Sequence, residues 1–347
     1  MKKKSEILPN NICFITHQLE HLHNVSVSVS FKAGSLYESK YNNGISHLVE
    51  HLFFRQLSDL SQESLYFNMQ KIGGEITGKT YCDYVTFSIN VIPQYLYDAL
   101  DIMLKFFDDF EWSNSIILKE KEVVLRQIEN KAYSYNQWID SIYFENTKYT
   151  LPIMGTKKTV KSLTAFEINS WKKEYFSPAN SCVTITGNFS NEFYDFLKQK
   201  LSIINNFGKK QAPIIEIAPN FTKRNSDNYL TVINADSKLS EVVVLFDIKN
   251  SFDYESVKLI TSILSDGCGS KLSMIMREKY QLTDDIFTQL TSYCGFHRYS
   301  ISYTVKNKNI FNSIDILFKI INEIKTDITL NEYASTIPFF TDNQMID

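Results

Sequence analysis

Residues 25–32 read VSVSVSFK, with an apolar side chain at every second position. That alternation fits a strand with one buried face and one polar face. After the polar loop SLYESKYNN the period changes. GISHLVEHLFFR, residues 44–55, brings Ile45, Leu48, Leu52 and Phe53 near one face of a helix. A half-buried strand followed by an amphipathic helix requires a layered unit, because each element has one apolar side to cover.

The rest of the chain extends this pattern. Helices are expected over residues 61–71, 95–107, 114 to about 133, and 165–175, with strands over 83–91 and 180–186 and a loop containing LPIMG over 150–163. Between residues 208 and 227 the periodicity fades into GKKQAPIIEIAPNFTKRNSD, with Pro213 and Pro219, which reads as a linker. A second unit follows: strands at 230–232 and 241–247, a helix at 256–265, a glycine-broken turn at DGCGS, a helix at 272–278, a strand at 299–305 and a helix at 310–325. The order echoes the first unit, so the expected fold is α+β: two homologous layered domains, residues 1–207 and 228–347, joined by residues 208–227, the second shortened.

With 36 Lys and Arg against 39 Asp and Glu, the net charge is -3. No basic field would recruit nucleic acid. Five cysteines, odd in number and never in a CxxC, argue against a disulfide scaffold or a four-thiolate zinc site and for a reducing compartment, so a cytoplasmic location is expected. The start, MKKKSEILPN, lacks the apolar run of a signal peptide, and no apolar stretch is long enough to span a membrane. Glycines 73–74 and 267–269 lack phosphate-loop spacing and read as turns that need positive φ.

The chemistry concentrates in His47-Leu48-Val49-Glu50-His51. On a helix, positions 47, 50 and 51 share a face. Two imidazoles one turn apart can close on one zinc ion, and Glu50 between them can take a proton from a metal-bound water. This is the inverted order of the zincin motif. Surface histidines flanking a solvated glutamate would have the same spelling. His17, His21, His23 and His297 lack such spacing; HLH at 21–23 would put two rings on one side of a strand.

The flanking residues are informative. NNGISHLVEHLFFR resembles the zinc helix of the pitrilysin–insulinase family of peptidases, which includes mitochondrial processing peptidase. KAGSLYES, KIGGEITGKTYCDYVTFSI, ILKEKEVVLRQIEN, LPIMGTKKTVKSLT and WKKEYFSPANSCVTITGNFS resemble further blocks of that family in order, and SDGCGSKLSMIMREKYQL resembles a helix of its second domain. The resemblance implies a chamber of four related domains, in one chain or two, that holds a peptide substrate as an added strand. It implies His47 and His51 as zinc ligands, Glu50 as general base, and a third ligand from the helix bearing Glu120 and Gln127. Family members carry glutamate at both of those places, the downstream one binding zinc and the upstream one supporting the site.

Here the ligand position holds Gln127, a neutral and weaker donor. Three readings stay open: zinc held weakly by His47, His51 and Gln127; Glu120 reaching in; or a metal-poor, non-catalytic homologue. Active relatives also grip the substrate carbonyl with an arginine and, seven residues later, a tyrosine. Arg277 fits the arginine, but Asp284 stands at the tyrosine position, where an acid opposes a forming oxyanion; Arg277 could equally pack in a polar helix. The expected activity is a zinc endopeptidase subunit that cuts short unfolded peptides. The alternative is a non-catalytic peptide-binding or scaffolding subunit. The expected partner is a homologous chain carrying the intact pair, or a second copy.

Overall fold

The computed structural model describes residues 2–130, 139–140, 143–144, 147–205, 238–248, 254–267, 269–293 and 296–326. The chain divides into two compact units, Met1–Phe221 and the smaller Thr222–Asp347. The expected linker at 208–227, the strand at 230–232 and the helix end beyond residue 130 lie outside the described residues.

In the first unit, the strands in chain order are β1 (Lys2–Ile7), β2 (Cys13–Gln18), β3 (Val25–Phe31), the two-residue pair β4 (Gln56–Leu57) and β5 (Leu60–Ser61), β6 (Glu75–Thr80), β7 (Val85–Val91) and β8 (Ser181–Gly187). The main sheet has the order β1-β2-β8-β3-β7-β6. Only the β2–β8 pair is parallel. Alternation in β3 does what its spelling requires: Val25, Val27, Val29 and Phe31 are buried, and the serines face the other way. On that polar face Ser28 meets Ser88 at 2.8 Å and Ser30 donates to Thr86 at 2.9 Å.

Helices cover the apolar face. α1 (Ile45–Arg55), α2 (Gln62–Lys71), α3 (Leu96–Leu104) and α4 (Asn114–Asn130) match the expected helices within a few residues, and the helix Ala165–Tyr175 matches to the residue. Ile45, Leu48, Leu52 and Phe53 are all buried, the face read from their spacing. Phe53 anchors α1: its ring lies 5.1 to 6.3 Å from those of Phe87, Phe106, Phe110, Trp112 and Phe176. Burying such a side chain stabilises by roughly 1.5–3 kcal/mol.

Several elements differ from expectation. KKKSEI forms β1, paired with β2. The stretch expected as a loop at 150–163 contains the helix Lys157–Ser162, started by reciprocal capping between Thr156 and Thr159. A helix at Asn191–Ser202 follows β8, capped by Ser190. His21 and His23 lie in the turn between β2 and β3, not in a strand. Gly73 and Gly267 have φ of +59° and +76°, as the turn reading requires.

The second unit contains a three-stranded antiparallel sheet of order β10-β11-β9, with β9 at Leu239–Ile248, β10 at Ile286–Tyr293 and β11 at Phe296–Lys306. Helix Tyr254–Ser265 lies between β9 and β10, and helix Ile310–Thr326 follows β11. Leu272, Met276, Ile301, Tyr303, Leu317 and Ile320 form its core. The helix expected at 272–278 is π-helical over Ser273–Lys279, and β10 was not anticipated.

Candidate functional site

Helix α1 carries the site, and its start is unusual. Gly44 precedes it at φ +93° without a side-chain cap. The fully buried Glu38 takes over that work, accepting from the Gly44 and Ser46 amides at 2.7 and 2.9 Å and from Asn43 Nδ2 at 2.8 Å. A carboxylate there satisfies orphan amides and suits the positive end of the helix dipole. Burial nevertheless pushes the Glu38 carboxyl up, against those bonds. The LPIMG loop docks on the same point: Asn43 Nδ2 donates to the Pro152 carbonyl at 3.0 Å, and a Cβ on Gly44 would stand 2.8 Å from Gly155 Cα.

Along α1, His47 and His51 lie one turn apart with ring centroids 4.6 Å apart. His51 Nδ1 lies 3.0 Å from Glu120 Oε1 on α4. Glu120 Oε2 accepts from Arg55 Nε at 2.7 Å, and Arg55 Nη1 donates to Gln62 on α2 at 2.7 Å. Burial pushes the Glu120 carboxyl up, but the His51 and Arg55 bonds outweigh it and hold the group below its ordinary value. Gln127 Oε1, two turns further along α4, sits 3.4 Å from His47 Nε2. Structure and sequence agree that positions 120 and 127 share the face turned to α1.

Glu50 is buried between the histidines and the sheet edge. Its Oε2 accepts from Thr80 Oγ1 on β6 at 2.6 Å and lies 3.4 Å from His47 Nδ1, outside hydrogen-bond geometry. Burial pushes this carboxyl up too; the contacts with His47 and Thr80 prevail and leave it lowered. β6 can come this near because residue 78 is glycine: a Cβ there would stand 2.8 Å from Glu50 Oε1 and 2.5 Å from Phe54 Cε2.

His47 Nδ1 is buried with no hydrogen bond, and Glu120 engages His51 through Nδ1, leaving Nε2. Those features fit a cation held by two imidazoles, with the Gln127 amide oxygen as third donor. Among the described residues, no three His, Cys, Asp or Glu side chains gather as a metal-binding group.

The site thus unites His47, Glu50, His51, Glu120 and Gln127. Arg277 belongs to the second unit, half-exposed on the π-helical segment with Nε 3.4 Å from Glu278 Oε1, and Asp284 is exposed. Sequence reasoning missed Arg55, Thr80 and Glu38. Arg55 had a signal, since it follows His51 by one turn. Thr80 had none, because β6 was not recognised as a strand.

No disulfide joins the described cysteines Cys13 and Cys182, and no described helix is long and apolar enough to cross a membrane. Residues 14–157 match the model of the insulinase family, peptidase family M16, and residues 162–337 match that of the peptidase M16 inactive domain. An uncharacterized zinc protease of Rickettsia felis is 22% identical over 330 residues, which span 93% of this chain and 76% of that protein. The mitochondrial-processing peptidase subunit beta of Saccharomyces cerevisiae is 25% identical over 168 residues, 47% of this chain and 36% of that one. The solved peptidase M16 inactive domain from Pseudomonas fluorescens superposes with a TM-score of 0.82 at 14% identity, covering 99% of this chain and 84% of that one. Two family matches in sequence, over two α/β units of the same fold, establish that the chain belongs to the M16 (insulinase) family of peptidases.

Proposed function

We propose that the chain is the peptide-binding subunit of a chamber completed by a homologous partner, with no full-strength hydrolytic zinc centre of its own. The observation that carries this reading is the third-donor position. An uncharged amide faces His47 there, and both oxygens of the neighbouring Glu120 are already engaged by His51 and Arg55. Zinc would be held by His47, His51 and Gln127, weakly for want of an anionic third ligand. When bound, it would polarise a carbonyl and acidify a water. β6 ends the main sheet beside Glu50, which supports an extended peptide pairing as an added strand. The kinship with a beta subunit of a processing peptidase supports a homologous partner. Asp284 in place of the carbonyl-clamping tyrosine beside Arg277 supports a partner that supplies that pair. Five scattered cysteines with no CxxC pair support a reducing, cytoplasmic setting.

A second reading, a zinc endopeptidase with Glu50 as general base, is favoured by Glu50 itself. This carboxylate lies between the two imidazoles, held by Thr80 Oγ1 at 2.6 Å with His47 Nδ1 3.4 Å away, at the place where a base would be needed. The discriminating experiment is to co-purify the chain with its native partner and follow a labelled unfolded peptide by anisotropy and mass spectrometry. The proposal expects binding without cleavage, unchanged in Glu50→Gln. Cleavage that disappears in Glu50→Gln while bound zinc stays constant would replace it with the endopeptidase reading.

A further inference from the structure

We infer that Arg55 is a positioning residue of the two-histidine site: it holds Glu120 on His51 Nδ1, which fixes the ring so that Nε2 is the nitrogen presented. The inference is independent of whether the chain hydrolyses peptides.

Arg55 lies one turn beyond His51, on the stripe formed by positions 47, 51 and 55 of α1. Its guanidinium makes two bonds in different directions, Nε to Glu120 Oε2 and Nη1 to Gln62 Oε1, both at 2.7 Å. It thereby ties α1 to α4 and to α2. The Glu120 side chain is only 5% exposed, so without Arg55 it would be a buried carboxylate with only the His51 ring to engage it. With Arg55 present, one oxygen is spent on the guanidinium and the other is aimed at His51 Nδ1 at 3.0 Å. A carboxylate at Nδ1 selects the tautomer with its proton there and leaves the Nε2 lone pair free. The same pairing keeps Glu120 from reaching in as a ligand, one of the three arrangements the sequence left open. A planar fork suits this task, whereas a lysine ammonium is a point charge without the fixed donor geometry that aims one bond at Glu120 and another at Gln62.

Two readouts on the folded, metal-free full chain separate positioning from mere stability. Imidazole nitrogen NMR at alkaline pH should show His51 as the Nδ1–H tautomer in the parent and as a mixture in Arg55→Met. Arg55→Lys, which keeps the charge, should fall between them. Zinc affinity, measured by competition with a chelator, should drop about 10–100-fold in Arg55→Met, and Gln62→Leu should leave the His51 tautomer as in the parent. A parent His51 protonated at Nε2, or a tautomer unchanged in Arg55→Met, would overturn the inference. So would a rise in zinc affinity in that variant, since Glu120 would then serve better as a ligand than as an orienting group. Should the parent hold too little zinc to titrate, the tautomer measurement decides alone.

Discussion

Gly78→Ala tests how the sheet edge and the histidine helix fit together. The added methyl would stand 2.5 Å from Phe54 Cε2, 3.0 Å from Phe54 Cζ and 2.8 Å from Glu50 Oε1. Non-bonded carbons settle at about 3.5–4.0 Å, so the ring or the strand must give way by about 1 Å. Overpacking of this kind costs about 1–3 kcal/mol. Against it stands the lower entropy of the unfolded alanine chain, worth about 0.4–1 kcal/mol. The net expectation is a loss of about 0.5–2 kcal/mol, or roughly 2–6 °C in thermal midpoint for a unit of this size. Because part of the clash falls on a ring that leucine lacks, the loss should shrink by more than half when Gly78→Ala is made in a Phe54→Leu background. Thermal unfolding of the parent, both single variants and the double variant gives that coupling. A Gly78→Ala protein as stable as the parent, or an equal loss in both backgrounds, would refute the close-approach argument.

Gln127→Glu should tighten zinc by about tenfold or more in a chelator titration, because a carboxylate adds charge at the donor position; unchanged affinity would mean that residue 127 is not a ligand. His47→Ala and His51→Ala should each leave a folded protein with markedly less bound metal by elemental analysis, and equal metal content would sink the site. Phe53→Ala, which empties the centre of five packed rings, should lower unfolding stability by about 3–5 kcal/mol in urea denaturation. Hydrogen bonds from Lys198 and Tyr194 hold the Glu6 carboxyl below its ordinary value. Its contribution is therefore present above the unfolded glutamate range and is lost as pH falls through the lower folded value. Stability curves of Glu6→Gln should be flatter than the parent's on that acid limb, and parallel curves would contradict the assignment.

What the sequence shows of the fold follows from where each strand sits. β3, β7 and β8 are interior strands with helices on one side, and VSVSVSF, VTFSINV and SCVTITG alternate plainly, whereas β2, also interior, buries only Phe14 and Thr16 and is hidden in CFITHQ. β6 is an edge, and its inward positions are Ile76, Gly78 and Thr80, selected for fit against α1 rather than for hydrophobicity. Its alternation is therefore hidden. β1 is likewise an edge, and three lysines disguise it. The helix Asn191–Ser202 did carry a signal, with Phe193, Leu197 and Leu201 buried at four-residue spacing. The helix expected near residue 272 forms in that place but winds as a π-helix, which leaves no mark in a hydrophobic pattern.

The site divides in the same way, by range. HLVEH fixes three side chains on one helical face because their relation is local and helical geometry is universal. Which nitrogen each ring presents is not local. It depends on Glu120, 69 residues beyond His51, and on Gln127, 80 residues beyond His47, while the state of Glu50 depends on Thr80, 30 residues away. The spelling of residue 127 is visible at once, yet its consequence is not. Were Glu120 free to swing, it could restore the missing negative donor, and the substitution would be nearly silent. Its two oxygens are instead divided between His51 and Arg55, with only 5% of the side chain exposed. Releasing either bond would leave a carboxylate that is only 5% exposed short of a partner, at a cost of several kcal/mol. The neutral amide at 127 therefore goes uncompensated by its neighbour. On the proposed reading, Gln127 therefore limits how firmly His47 and His51 would hold a metal, even with both imidazoles in place.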